Sequence, residues 1–180
     1  MILPFSTQLN GKPTYFVEKI WAALECQFAE TTTKCIKYIF PPEYFECLDK
    51  GFKNTTEFRP KIHTIREDKK NRWKPGVMID FFINARQKNM FRFAPRIPVV
   101  SVQKIEIEYI LNLRPDVFTH LGQRKDHYYP IIHIDDKTLF DDGIIAFLAI
   151  NDGFDDGEDF FEYFNTDYTG KIIHWTDKRY

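Results

Sequence analysis

No stretch of these 180 residues approaches the roughly 18 consecutive apolar residues that a membrane-spanning helix needs. The opening Met1-Ile2-Leu3-Pro4-Phe5-Ser6 also lacks the basic patch and long apolar run of a secretory signal. A soluble, cytoplasmic protein without a membrane partner is expected. Cysteine is scarce: Cys26, Cys35 and Cys47 are odd in number and form no C-x-x-C pair, which argues for reduced, partly buried thiols rather than a disulfide framework. Charge of one sign is missing as well, since 25 Lys and Arg face 26 Asp and Glu for a net charge of -1. No global cationic field can recruit nucleic acid, so any such contact must be local. His120, His127, His133 and His174 lack the i, i+4 spacing with a carboxylate that marks a zinc helix. Asp155-Asp156-Gly157-Glu158 lacks the spacing and terminal glutamate of a calcium loop. Neither a metal nor a cofactor is expected.

What the chain has is apolar mass, with 43% hydrophobic and 17% aromatic residues, enough for a full core in one domain with room for an appendage. The spacing of Tyr15, Phe16, Ile20, Trp21 and Leu24 predicts a helix over 14–28, with Thr14 as cap and Glu18 placed to support it. A short helix over 43–50 closed by Gly51 follows, and residues 1–60 read as a helical N-terminal extension packed on the rest. From Lys61 the pattern turns to strands over 77–83, 90–93 and 99–107, and several short strands joined by turns favour a small barrel. Ile131–Ile134 is a further strand with a turn at Asp135-Asp136, residues 140–150 and 158–164 are helices around a break at Asn151-Asp152-Gly153, and Lys171–Trp175 closes the chain as a strand. The fold class is therefore α+β.

Charge is segregated along the chain. Arg59, Lys61, Arg66, Lys69, Lys70, Arg72 and Lys74 form a basic stretch, and the last third is acidic from Asp135 to Asp167. Such runs are ordinarily solvated faces; the sharper reading is an anion-binding groove on one side. Trp73, Phe81, Phe82, Phe91 and Phe93 could stack bases, although alternating aromatics in a barrel are usually core.

The most informative stretch is Lys61-Ile62-His63-Thr64-Ile65-Arg66. If it is extended throughout, Thr64 and Arg66 share one face while Lys61, His63 and Ile65 share the other. If it is a turn leading into a strand, Lys61 can fold back over Thr64, creating a cluster able to hold an anion or a polar carbonyl. Arg66 and Lys61 also suit phosphate, and His63 between Ile62 and Ile65 reads as a packed histidine.

Together with Trp73-Lys74-Pro75-Gly76, Asn151-Asp152-Gly153-Phe154 before Glu158-Asp159-Phe160-Phe161, and Ile172-Ile173-His174-Trp175, this motif resembles the ASCH domain family, discontinuously over roughly residues 61–180. The resemblance implies a PUA-like small β-barrel with flanking helices over 61–180, an insertion near 112–140, and similarity to long phage and bacterial members. It implies RNA binding and, through small members that remove the acetyl group from acetylcytidine, an amidohydrolase. By that resemblance the catalytic group is Lys61, Thr64 and Asp152, the last replacing an expected glutamate with a carboxylate one methylene shorter. A threonine hydroxyl needs a base, which a lysine lowered by burial or by Arg66 can supply.

Three readings follow. The first is a module binding RNA or a nucleotide in a cleft lined by Lys61, His63, Thr64, Arg66, Lys69, Lys70 and Arg72. The second is an amidohydrolase acting on an N-acylated nucleoside through Lys61, Thr64 and Asp152. The third is a protein-interaction module built on the aromatic first helix and the acidic last third. Binding ranks first at this level because the Asp152 replacement and the added segments suggest drift from the small enzymes.

Overall fold

The computed structural model describes residues 1–25, 29–31, 36–38, 40–112 and 127–180. The amino-terminal part supplies strand β1 (Ile2–Phe5), a hairpin of β2 (Gln8–Leu9) and β3 (Lys12–Pro13), and helix α1 (Phe16–Leu24). An antiparallel pair, β4 (Ala29–Thr31) and β5 (Ile36–Tyr38), precedes helix α2 (Pro42–Asp49) and a single 3-10 turn at Thr55–Glu57. Next come β6 (His63–Arg66), β7 (Met78–Ile83), β8 (Phe91–Arg92), β9 (Ile97–Pro98) and the long β10 (Ser101–Asn112). Strands β11 (His127–Ile134) and β12 (Lys137–Leu139), helices α3 (Asp142–Asn151) and α4 (Gly157–Tyr163), and strand β13 (Tyr168–His174) complete the fold.

The protein is α+β, as its sequence pattern predicts. One sheet has the order β12-β11-β10-β13-β6; the other places β1 parallel to β7, with β8 and β9 also paired to β7. Among the described residues neither sheet closes into a barrel. In β10, Ile105 and Ile107 are buried while Lys104 and Glu108 are exposed, the period-two pattern of a strand with one face in a core. The core has two clusters, and β13 lies between them: Ile172 packs with Ile105, Ile132 and Phe160, whereas Ile173 packs with Phe5, Trp21 and Phe81. Trp73, Phe81 and Phe93 are likewise core residues.

Several boundaries differ from the sequence reading, each for a local reason. Helix α1 starts at Phe16 because Tyr15 adopts φ 53°, a left-handed conformation that cannot continue a helix backward, and the Thr14 hydroxyl donates to the Ser6 carbonyl at 2.7 Å. Glu18 does not close a capping box; its carboxylate accepts from the Lys53 N–H at 3.1 Å. Residues 26–28, the end of the predicted helix, lie outside the described residues, as do Cys26, Cys35 and His120. The first sixty residues are more than a helical extension: β1 pairs in parallel with β7, and Leu3 and Phe5, alternating with exposed Ile2 and Pro4, are buried in the core. Of the segment expected as an insertion near 112–140, residues 113–126 lie outside the described residues, but β11 and β12 belong to the five-stranded sheet. No helix among the described residues is long and apolar enough to cross a membrane.

Candidate functional site

Lys61 and Ile62 precede β6, so the turn-into-strand alternative is the one adopted. Their amides pin them between two helices: Lys61 N–H donates to the Lys19 carbonyl of α1 at 2.8 Å, and Ile62 N–H to the Asn151 carbonyl of α3 at 3.0 Å. Asp152 follows α3 directly, and Gly153, at φ 91°, turns the chain away. Glycine is required there twice over. A β-carbon would sit in a conformation L side chains rarely adopt, and it would lie 2.9 Å from both Lys61 Cδ and Phe16 Cε1.

This local geometry brings Lys61 and Asp152 together. Lys61 Nζ donates to Asp152 Oδ1 at 2.6 Å and also to the Asp152 carbonyl, with the two residues only 1% and 4% exposed. The same Oδ1 accepts the Ile65 N–H at 3.1 Å, which locks the carboxylate to β6, and the Phe16 ring covers the ammonium at 4.8 Å. Asp152 therefore reaches the lysine because the backbone carries it there. Burial pulls the Lys61 ammonium from its ordinary 10.5 down to about 8, against the attraction of Asp152. Burial likewise pushes the Asp152 carboxyl up, against Lys61, Arg66 and the Ile65 amide.

Lys61, Asp152, Thr64 and Arg66 line one cavity of about 80 Å³, roofed by Phe16, Phe154 and Tyr163 at the seam between the two core clusters. Thr64 is buried, and no described residue hydrogen-bonds its hydroxyl. Arg66 donates from Nη2 to the Pro4 carbonyl at 3.0 Å and lies over the Phe5 ring at 5.4 Å, while its Nε is buried without a partner. A second cavity of about 70 Å³ shares Leu9, Phe16, Phe154 and Tyr163 with the first. Lys19, itself buried, lines it and donates to the Gly153 carbonyl at 2.8 Å and to Asp155 Oδ1 at 2.9 Å. Successive carbonyls of the Asp152-Gly153 turn are thus each held by a lysine. On the other side, Arg66 borders an open groove of about 610 Å³ that also includes Pro4, Glu67, Arg72, Trp73 and Arg86.

The remaining residues singled out from sequence are placed elsewhere. His63 is fully buried, packed against the His174 ring at 5.3 Å and Tyr180 at 5.5 Å, and does not line the cavity. Burial holds its pKa well below 6.5, so it is neutral. Lys69 and Lys70 are exposed and line neither the cavity nor the groove; Lys69 pairs with Glu67 at 2.8 Å. Of that basic turn, Arg72 alone reaches the groove. Asp156 caps α4 by accepting the Asp159 N–H at 2.9 Å. Sequence reasoning missed Lys19, Phe16 and the structural need for Gly153. The available signal was Lys19 itself, a charge between the buried Val17 and Ile20 of an apolar helix.

Among the described residues, no cluster of His, Cys, Asp and Glu could hold a metal ion. Comparison with protein-family models, with curated proteins and with solved structures finds no match for this chain.

Proposed function

We propose that this protein is an amidohydrolase that deacylates an acetylcytidine-like nucleoside, with Thr64 as nucleophile and Lys61 as base. The supporting observation is the buried Lys61–Asp152 contact at 2.6 Å on the wall of a cavity that Thr64 also lines with an unengaged hydroxyl. The plain alternative is a salt bridge that only fixes the turn. Burying two charges costs several kcal/mol of desolvation each, and an apolar pair of similar volume is often at least as stable, so stability alone is a weak reason for this arrangement. Chemistry is a better one. With its pKa at about 8, roughly a tenth of Lys61 is neutral at pH 7 and able to accept a proton.

In the reaction so inferred, Thr64 Oγ1 attacks the amide carbonyl carbon as its proton passes to Lys61 Nζ. The C–N bond of the tetrahedral intermediate then breaks, and Lys61 returns the proton to the departing amine nitrogen. Water hydrolyses the resulting ester, giving the carboxylic acid and regenerating the Thr64 hydroxyl. Asp152 acts as a positioning residue that orients Lys61 and stabilises its ammonium form. The test is incubation with acetylcytidine followed by chromatography: cytidine and acetate in equal amounts are expected, and no cytidine above the uncatalysed rate would overturn the proposal for this substrate.

Binding of RNA or a nucleotide without turnover is the second reading, favoured by the exposed Arg72 beside the groove. Filter binding at low salt would then show RNA affinity that weakens in Arg72→Ala and is unaffected by Thr64→Val.

A further inference from the structure

Arg66 separates two spaces of very different size: the cavity of about 80 Å³ at Lys61 and Thr64, and the groove of about 610 Å³ beyond it. The first admits an acyl amide but not a nucleoside. The second falls within the roughly 300–1,000 Å³ of small-molecule sites. We propose that the groove binds the phosphate of a small phosphomonoester, so that the Lys61–Thr64 site takes an acylated nucleotide in preference to the free nucleoside, which it still turns over. This rests on the amidohydrolase reading for the acyl end alone; the phosphate subsite has its own support.

That support is the charge and partnering of the groove. Arg66, Arg72 and Arg86 line it against one acid, Glu67, which is already paired with Lys69 at 2.8 Å. Arg72 and Arg86 have no ion pair among the described residues, and the buried Nε of Arg66 has no acceptor. The turn that presents Arg72 is fixed in advance, because Asp68 accepts the Arg72 N–H at 3.0 Å and the Trp73 N–H at 2.9 Å and also pairs with Lys171 at 3.5 Å. Guanidinium forks on a rigid turn match the terminal oxygens of a phosphomonoester, and preorganisation lowers the entropic cost of binding it.

The test is calorimetric titration of the wild type and of Arg72→Gln/Arg86→Gln with cytidine, cytidine 5′-monophosphate and a short cytidine oligonucleotide. The two glutamines replace exposed side chains, so the fold should be retained. Cytidine monophosphate is expected to bind the wild type at least about tenfold more tightly than cytidine, an advantage of about 1.4 kcal/mol. The double variant should lose it. Equal affinities for the two small ligands, including no binding of either, would overturn the proposal, as would an advantage that survives in the double variant. An oligonucleotide that binds more tightly than the monophosphate would replace it with a phosphodiester-binding groove. None of these measurements requires turnover, so failure of the hydrolysis reading and failure of the phosphate subsite remain separable.

Discussion

Replacing Lys61 with methionine removes the only side chain among the described residues that donates to the Asp152 carboxylate and leaves a carboxyl 4% exposed beside the Phe16 ring. Breaking a buried ion pair from one side costs about 3–5 kcal/mol, most of it the uncompensated partner. At about 2–4 °C per kcal/mol for a chain of this size, the melting temperature should fall by roughly 6–20 °C. Replacing both partners discriminates further. In Lys61→Met/Asp152→Leu the stranded charge is gone, but the Ile65 N–H has lost its acceptor, a defect of about 1–3 kcal/mol. In Lys61→Met/Asp152→Asn the amide oxygen still receives that N–H, so this variant should be the more stable of the two doubles. Urea unfolding at pH 7 gives all four stabilities. A Lys61→Met protein within about 1 kcal/mol of wild type would refute the claim that these charges are desolvated and mutually dependent.

Gly153→Ala combines positive-φ strain with contacts of 2.9 Å to Lys61 Cδ and Phe16 Cε1, and should destabilise by about 2–5 kcal/mol in the same unfolding assay. Hydrolysis should rise about tenfold per pH unit below pH 8 and level off above it, because Lys61, at about 8, must lose its proton to act; a rate independent of pH over 6–8 would count against Lys61 as base. Acid should weaken the fold through the buried histidines. His174, held by burial at about 4 against an ordinary 6.5, is neutral in both states above pH 6.5, and below it the unfolded chain takes up a proton that the folded one refuses. Stability should therefore drop between pH 6.5 and 4 by about 3 kcal/mol from His174, with His63 adding in the same direction, as urea titrations across that range would show.

Much of the fold was legible because its signals are local and periodic. The strand expected over 99–107 is present as β10, Ser101–Asn112, starting two residues later and ending five residues further on, and the break expected at Asn151-Asp152-Gly153 falls at Asp152-Gly153, just after α3. The role of β1 was not legible: four residues, one of them Pro4, carry too little periodicity, and their strand character depends on β7, whose partner residues lie 78 positions away. That dependence is tertiary, and propensity does not encode it. At the site, the facing of Lys61 and Thr64 onto one cavity could be anticipated from their spacing and a turn, whereas Asp152 is brought in by the capping geometry of α3 and the Gly153 turn. Lys69 and Lys70 are placed apart from the groove for a reason that adjacency does not encode. Adjacency in a basic run suggested a shared cleft, but the turn held by Asp68 directs Arg72 to the groove and leaves both lysines in solvent.

The hydroxyl of Thr64 is the group on which the proposed chemistry turns, and two substitutions isolate it. Thr64→Ser keeps an oxygen nucleophile at the cavity wall, and Thr64→Val keeps the shape without it. Acetylcytidine hydrolysis by wild type and Thr64→Ser, with none by a folded Thr64→Val, is the result the account predicts; cytidine released at the wild-type rate by Thr64→Val would contradict it.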